Sequence, residues 1–331
     1  MEAKTMRVNN QWAKKTLLFL TMAGFLCGGG VLAQSGEKTV QIVIPAPPGG
    51  STDLSSRLIA NKLGERLGRS FVVLNRPGAS MQIGIQAVLD APLESNTLLV
   101  TPSGPISISP NLSQLRYKPQ TDLAPVAMIV RVPSGIAVSS SSPIQSLQQL
   151  IQTSKTAPGG LTFSVSSIGT HMHLAGELLR NLGGANLRVV GYKGTAPATV
   201  AIATSEVDLG ISDLATLLPW TQSGKIRILA VIDSTRASMA PSVLTVSELG
   251  VKDYSADAWI GMFAKSGGDR EWRERLNNEI SQILKMNDII TAMNRMGLDP
   301  FIMTTSQMSR FLEDDVAKWG RTIKASNISI Q

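Results

Sequence analysis

Apolar positions first cluster, after the N-terminal segment, in the run Val40–Ile44, which stops at Pro45. Pro47, Pro48, Gly49 and Gly50 continue neither a strand nor a helix, and Ser51, Thr52 and Asp53 are residue types favoured where helices begin. Leu54, Leu58, Ile59, Leu63 and Leu67 then recur at helical spacing. Arg57, Lys62, Glu65 and Arg66 fall on the opposite side, and Gly68 stands where a C′ glycine belongs. Strand, glycine turn and helix therefore follow in order. The pattern continues with a strand at Phe71–Leu74, a turn at Asn75–Gly78, a helix from Met81 to Asp90 and a strand at Thr97–Thr101. This βαβαβ succession is the signature of a mostly parallel sheet.

Further along, Val126–Val132 and Gly135–Val138 are strands, and the serine run 139–142 ahead of Pro143 leads into a helix from Ile144 to Ser154. A second β/α series opens with Leu161–Val165. Its loop, Ser166, Ser167, Ile168, Gly169 and Thr170, enters a helix carrying His171, His173, Leu174, Leu178 and Leu179. Leu187–Val190 is the next strand, followed by the loop Tyr192–Pro197 and a helix through Thr204. Asp208–Ser212 is a strand ending at Asp213, with a short helix Leu214–Trp220 after it. Ile226–Ile232 and Ala256–Ala264 are buried-type strands, the latter a return to the first domain. Two amphipathic helices close the chain, one carrying Trp272, Leu276, Ile280, Ile283 and Leu284, the other Phe311, Val316, Trp319 and Ile323, and both are expected to pack on the first domain. The expected division is residues 34–137 with 258–331 as a discontinuous first domain, and 138–257 as the second.

A chain of 331 residues with 43% hydrophobic and 17% charged content has material for two packed cores. Residues 1–33 are expected to be removed. Lys14 and Lys15 precede the apolar run Thr16–Cys27, which is too short for a comfortable membrane span, and Val31-Leu32-Ala33 offers small-residue cleavage of a signal peptide. The expected compartment is thus the periplasm. Removal of Lys4, Arg7, Lys14, Lys15 and Glu2 takes three positive charges net from the formal +7, leaving a mildly basic chain. Cys27 is the single cysteine, so the processed chain forms no disulfide. No run of Lys or Arg marks a nucleic-acid surface, and an aromatic share of 5% weakens any reading that needs base-stacking platforms.

The glycine turn at Gly49–Gly50 brings a helix N-terminus to a strand end, where bare backbone N–H groups favour an anion, most simply a carboxylate. The same residues also suit a plain βα connection. The pattern is neither G-x-G-x-x-G nor a P-loop, so no nucleotide cofactor is expected. Thr101–Pro105, with Ser103 and Gly104, is a second Pro/Gly loop at a strand's C-terminal end, the edge where open α/β sheets place ligands. His171 and His173, the only histidines, point about 200° apart around a helix and make a poor metal pair, so no metal site is expected. Neither G-x-S-x-G nor H-E-x-x-H occurs, and no catalytic group is assembled. Lys193 lies in a loop at a strand end and either offsets a carboxylate or is a solvated surface lysine. Asp213 either caps the following helix or meets the polar tail of a ligand, and Asp53 carries the same ambiguity.

PAPPGGSTD at Pro45–Asp53, NRPG at Asn75–Gly78, GTHMHLAGE at Gly169–Glu177, YKGTA at Tyr192–Ala196, and Ser212-Asp213 ahead of Leu218-Pro219 together resemble the Bug-type extracytoplasmic receptors of the tripartite tricarboxylate transporter family. Each motif alone is weak, but their order behind a signal peptide is specific. The resemblance implies an α/β, two-domain periplasmic-binding-protein-like fold (type II), each domain a mostly parallel sheet flanked by helices, with the ligand cleft between the domains. It implies a monomeric receptor, not an enzyme, that takes a small carboxylate or related compound and delivers it to a membrane permease. The expected ligand-binding residues are Gly49, Gly50, Ser51, Thr52, Asp53, Ser103, Gly104, Ser166, Gly169, Thr170, His171, Lys193, Gly194, Ala196 and Asp213. Ala46 stands where family members often carry an aromatic residue, which would leave a wider pocket. Two other classes share the scaffold: a receptor that senses its ligand for a signalling partner, and a secreted α/β hydrolase. The effector domain of a transcription regulator would need a helix-turn-helix where this chain has a signal peptide.

Overall fold

The computed structural model describes residues 39–328; the expected signal segment, residues 1–33, lies outside them. Among the described residues strand β1 (Val40–Ile44) comes first, its Val40, Ile42 and Ile44 fully buried, and the chain passes through the glycine turn into helix α1 (Ser51–Leu67). Gly68 ends that helix in the left-handed region (φ 65°), its N–H donating to the Gly64 carbonyl at 3.0 Å. Strand β2 (Phe71–Asn75), helix α2 (Gln82–Asp90), strand β3 (Thr97–Pro102) and strand β4 (Leu123–Arg131) follow.

Two residues, Val132 and Pro133, separate β4 from strand β5 (Ser134–Ser139), which belongs to a different sheet. The expected boundary at 137/138 would cut β5, whereas the crossing comes at Val132-Pro133, where proline interrupts the ladder. The second lobe comprises β5, helix α3 (Leu147–Thr156), strand β6 (Leu161–Val165), helix α4 (His171–Gly183), strand β7 (Leu187–Gly191), helix α5 (Thr195–Ala203), strand β8 (Leu209–Asp213), helix α6 (Leu214–Gln222) and strand β9 (Ile226–Val231). The chain then returns to the first sheet as strand β10 (Trp259–Lys265). Helix α7 (Arg270–Ile283), helix α8 (Asn287–Arg295), the two-residue strand β11 (Asp299–Pro300) and helix α9 (Thr305–Ala325) complete it.

Strand order is β11-β4-β10-β3-β1-β2 in the first sheet and β7-β6-β8-β5-β9 in the second. The two-lobed α/β architecture is the expected one, and in each sheet most strands point the same way, with β10 and β11 reversed in the first and β5 in the second. The β1–β2, β1–β3, β6–β7 and β6–β8 pairs are parallel, while β10 runs against both β3 and β4, β11 runs against β4, and β5 runs against both β8 and β9. The reason is the double crossing: a strand that arrives from the other lobe enters its sheet from the end opposite to that of the βα units.

α7 packs on the first lobe, with Leu276, Ile280 and Ile283 closing over Ile42, Ile59 and Leu63. α9 departs from expectation. Its early residue Met308 joins the first lobe's other core, with Trp259 and Phe263, but Trp319 and Ile323 lie in the core of the second lobe beside Leu174 and Leu178. Helical periodicity identifies which face is buried and says nothing about which body receives it. α1 differs in one detail too: Leu54 is 44% exposed, and its first-turn buried side is polar, made of Thr52, Asp53, Ser55 and Ser56.

Candidate functional site

A cleft of about 500 Å³ opens between the lobes. One wall is Ser51 at the start of α1, Ser80 and Met81 before α2, and Pro102 to Pro105 after β3. The other wall is Ser166 and Ile168 to Met172 at the start of α4, with Asp213 at the end of β8. Val132, Ala258 and Trp259, from the crossing segments and β10, form its base. Among the described residues no lysine or arginine lines it, and His171 and Asp213 are its ionisable groups. An anion held here would rely on backbone donors, which two helix N-termini supply.

The first-lobe loop is fixed from within. Gly49 adopts φ +90° and Gly50 is the N-cap of α1 (φ −81°, ψ 172°) without a side-chain cap. The Gly49 N–H donates to Asp53 Oδ2 at 3.0 Å. Asp53 Oδ1 accepts from Arg57 Nε and Asn75 Nδ2, both at 3.0 Å, and Asn75 Nδ2 also donates to the Ala46 carbonyl at 3.1 Å. Asp53 is only 3% exposed. Burial pushes its carboxyl up, but the bonds from Arg57, Gly49 and Asn75 outweigh that and hold it below the ordinary carboxylate range. Its charge is thus turned inward, and it neither caps α1 in the usual way nor faces the cleft. The N–H of Gly49 is taken as well, leaving the first-turn amides of Ser51 and Thr52 directed past the helix end.

The second-lobe loop repeats this arrangement with different chemistry. Gly169 adopts φ +81°, Thr170 is the N-cap of α4 (φ −80°, ψ 166°), and the Gly169 N–H donates to His173 Nδ1 at 3.0 Å. In each lobe a left-handed glycine binds the side chain four residues on, at the third helical position. This is a capping box displaced by one residue. Thr170 Oγ1 donates to the Ser167 carbonyl at 2.7 Å, and the Gly194 N–H donates to the Ser166 carbonyl at 3.0 Å, tying the 192–196 loop to this one.

His171 faces the cleft but is engaged: its Nε2–H donates to the Ala256 carbonyl at 2.5 Å and its ring meets Trp319 edge-on at 5.8 Å. Burial lowers its pKa. Asp213 does not cap α6; its Oδ1 accepts from Ser134 Oγ at 3.1 Å, and burial raises its pKa above the usual range. Ser103 donates its N–H to the Trp259 carbonyl at 2.9 Å and leads into a single wide turn at Gly104–Ile108. Of the residues expected at the site, Ser51, Ser103, Gly104, Ser166, Gly169, Thr170, His171 and Asp213 line the cleft. Gly49, Gly50, Thr52, Asp53, Lys193, Gly194 and Ala196 do not. Lys193 is exposed in the loop after β7 and Ala196 is exposed in the first turn of α5, while the Gly194 N–H bond to Ser166 ties that loop to the cleft loop.

Sequence reasoning missed Ser80, Met81, Met172 and Trp259. Ala79, Ser80 and Met81 all have positive φ (46°, 49° and 76°) without being glycine, a local strain that no residue type announces. It also missed a buried acidic group at the crossing. Asp257 pairs with Arg131 Nε at 2.8 Å and accepts from Ser234, while Asp233 accepts the Ser134 N–H at 3.0 Å and, among the described residues, has no hydrogen-bond partner for Oδ1. Burial, with Asp257 close by, pushes Asp233 well above the usual carboxylate range.

The model of the family described as "Tripartite tricarboxylate transporter family receptor" matches residues 55–328. The protein BugT of Bordetella pertussis is 31% identical over 323 residues, covering 96% of this chain and 99% of its own length. A solved R. palustris protein, described with adipate, is 32% identical with a TM-score of 0.71, covering 88% of this chain and 98% of that one. A TctC solute-binding protein from Polaromonas, 21% identical, superimposes with a TM-score of 0.81 over 88% of this chain and 99% of its own. With glycine-anchored helix starts facing a cleft between two α/β lobes and a family match across nearly the whole described chain, this protein belongs to the tripartite tricarboxylate transporter receptors, a family of solute-binding proteins and not of enzymes.

Proposed function

We propose that this chain is a periplasmic receptor that holds a small carboxylate in the interlobe cleft and delivers it to a tripartite-type membrane permease. The observation that carries the reading is the pair of helix N-termini, α1 and α4, opening on one cleft whose lining, among the described residues, holds no lysine or arginine. The carboxylate meets the first-turn amide of Ser51 and the Gly104 turn from one side, and the amides following Thr170 from the other. The apolar side chains of Met81, Ile108, Met172 and Trp259 cover its body, and Asp213 meets its far end. Each lobe contributes part of the grip, so binding favours the closed arrangement by the difference in affinity between open and closed forms. The relative described with adipate, and an R. palustris protein described with bound malate, make those two acids the first probes.

Isothermal calorimetry and thermal-shift measurements with adipate, malate and a panel of mono- and dicarboxylates test the reading, using protein unfolded and refolded to strip any retained ligand. A raised melting temperature with at least one acid is expected. No stabilisation by any member of the panel overturns it. Uptake of the identified acid, lost in a strain lacking this chain and restored by its return, tests delivery to the permease.

A further inference from the structure

Two loops of the same shape are held by two different acceptors. In the first lobe the acceptor of the glycine N–H is a carboxylate, Asp53, which stays ionised throughout the ordinary pH range. In the second it is an imidazole nitrogen, Nδ1 of His173. A nitrogen that accepts an N–H carries no proton, so the ring is neutral and its single proton is on Nε2, which faces Glu177 Oε1 at 3.7 Å. Glu177 is in turn fixed by Arg180 Nη1 at 2.6 Å. The ring is 4% exposed and stacks on Phe163 of β6 at 6.4 Å. The charged groups acting on it are Glu177, which favours the protonated ring, and Arg180, which opposes it; β6 contributes only the apolar Phe163. Burial outweighs Glu177 and keeps the pKa of His173 below its usual value. The position on the helix acts in the same direction, since a cation in the first turn is repelled by the helix dipole.

A second proton on this ring has one place to go, Nδ1. It would point at the Gly169 N–H, replacing a hydrogen bond with two opposed donors. Gly169 and Thr170 line the cleft, so the loop that moves is the loop that would grip the ligand.

We propose that His173 is a positioning residue for the second-lobe half of the cleft, the counterpart of Asp53 in the first, and that protonating it releases this half while the first keeps its shape. The claim about the loop stands on geometry alone; the claim about affinity rests on the reading that the cleft takes a carboxylate. The receptor therefore loosens its grip from one side only when the surroundings turn acid.

The test has two arms on the full chain. In the ligand-free protein, nuclear magnetic resonance with ¹⁵N-labelled histidine and glycine follows His173 and the Gly169 amide from about pH 8 to about pH 5. The expected result is an unprotonated Nδ1 at neutral pH and a Gly169 amide that shifts with the ring, the shift vanishing in His173→Asn, whose side-chain oxygen takes the place of Nδ1 and does not titrate. In the second arm, adipate affinity is measured by calorimetry at the same pH values in wild type, His173→Asn and His173→Leu. Titration of the acid itself is common to all three, so the readout is the ratio of wild type to His173→Asn. That ratio is expected to be near one at neutral pH and to fall by about tenfold per pH unit below the pKa of the ring. His173→Leu binds more weakly throughout. A protonated Nδ1 at neutral pH, a Gly169 amide indifferent to the ring, or a His173→Asn profile matching wild type overturns the proposal. So does wild-type affinity that rises with acid relative to His173→Asn, since that would make the imidazolium an attractive charge. If no carboxylate binds, the proposed function falls, and the first arm alone upholds or overturns the role of His173.

Discussion

Replacing Asp53 with alanine tests whether the first-lobe loop is held by its own carboxylate. The side chain accepts three hydrogen bonds, from the Gly49 N–H, Arg57 Nε and Asn75 Nδ2, each at 3.0 Å. Bonds to a buried charged acceptor contribute about 1.5 kcal/mol or more each. Arg57, however, is 46% exposed, and solvent screening reduces its share to about 0.5 kcal/mol. Gly49 is exposed and regains water, so its share is about 1 kcal/mol. With Asn75 the expected loss for Asp53→Ala is about 3 kcal/mol, which in a chain of this size lowers the melting temperature by roughly 6 °C. Asp53→Asn keeps one acceptor and loses about half as much. Urea denaturation at neutral pH measures both. The sign of the pH dependence is also set. The folded pKa is lowered, so the stabilisation is complete above the unfolded value of 3.8 and is lost as pH falls through the folded one. The gap between wild type and Asp53→Ala is therefore constant from neutral to mildly acidic pH and closes only in strong acid. A loss under about 1 kcal/mol, or a gap that widens on acidification, would refute the reasoning.

Gly84→Ala would place a Cβ 2.7 Å from the Pro45 Cα and 2.8 Å from the Arg76 carbonyl oxygen, both backbone atoms, and is expected to lose about 2–3 kcal/mol in denaturant unfolding. Trp319→Ala removes a fully buried indole from the second lobe's core; a loss of about 3–5 kcal/mol is expected, with limited proteolysis cutting first in that lobe. Asp233 has a raised folded pKa, so its favourable share is full below the unfolded value and lost as pH rises through the folded one; Asp233→Asn should gain on wild type in thermal scans as pH rises from about 5 to 8. Asp213→Asn should tighten binding of a ligand whose far end is anionic and weaken binding of one ending in an ammonium, as calorimetry with such a pair would report.

The loops were legible because proline and glycine interrupt the apolar runs at Pro45–Gly50, Thr101–Pro105 and Ser166–Thr170, and those punctuation marks fall where the strands end. Strand direction was not, since β5 and β10 carry the same local pattern whichever way they run and are reversed by the double crossing. Asp53 shows the limit at single residues. A carboxylate three places into a helix suggests a cap or a ligand contact, and only the distant Asn75 and the preceding Gly49 reveal a brace. The strained Ala79–Met81 segment and the placement of Trp319 depend on tertiary packing in the same way.

The reach of α9 into the second lobe bears on the order in which the polypeptide matures. The first lobe lacks β10 and α7 until residues beyond 258 have been made, and the second lacks the indole of Trp319 until almost the last turn has emerged. Neither half has its full interior from its own contiguous residues, so each lobe's core closes only when segments that follow the double crossing are in place, and α9 ties the two closures together.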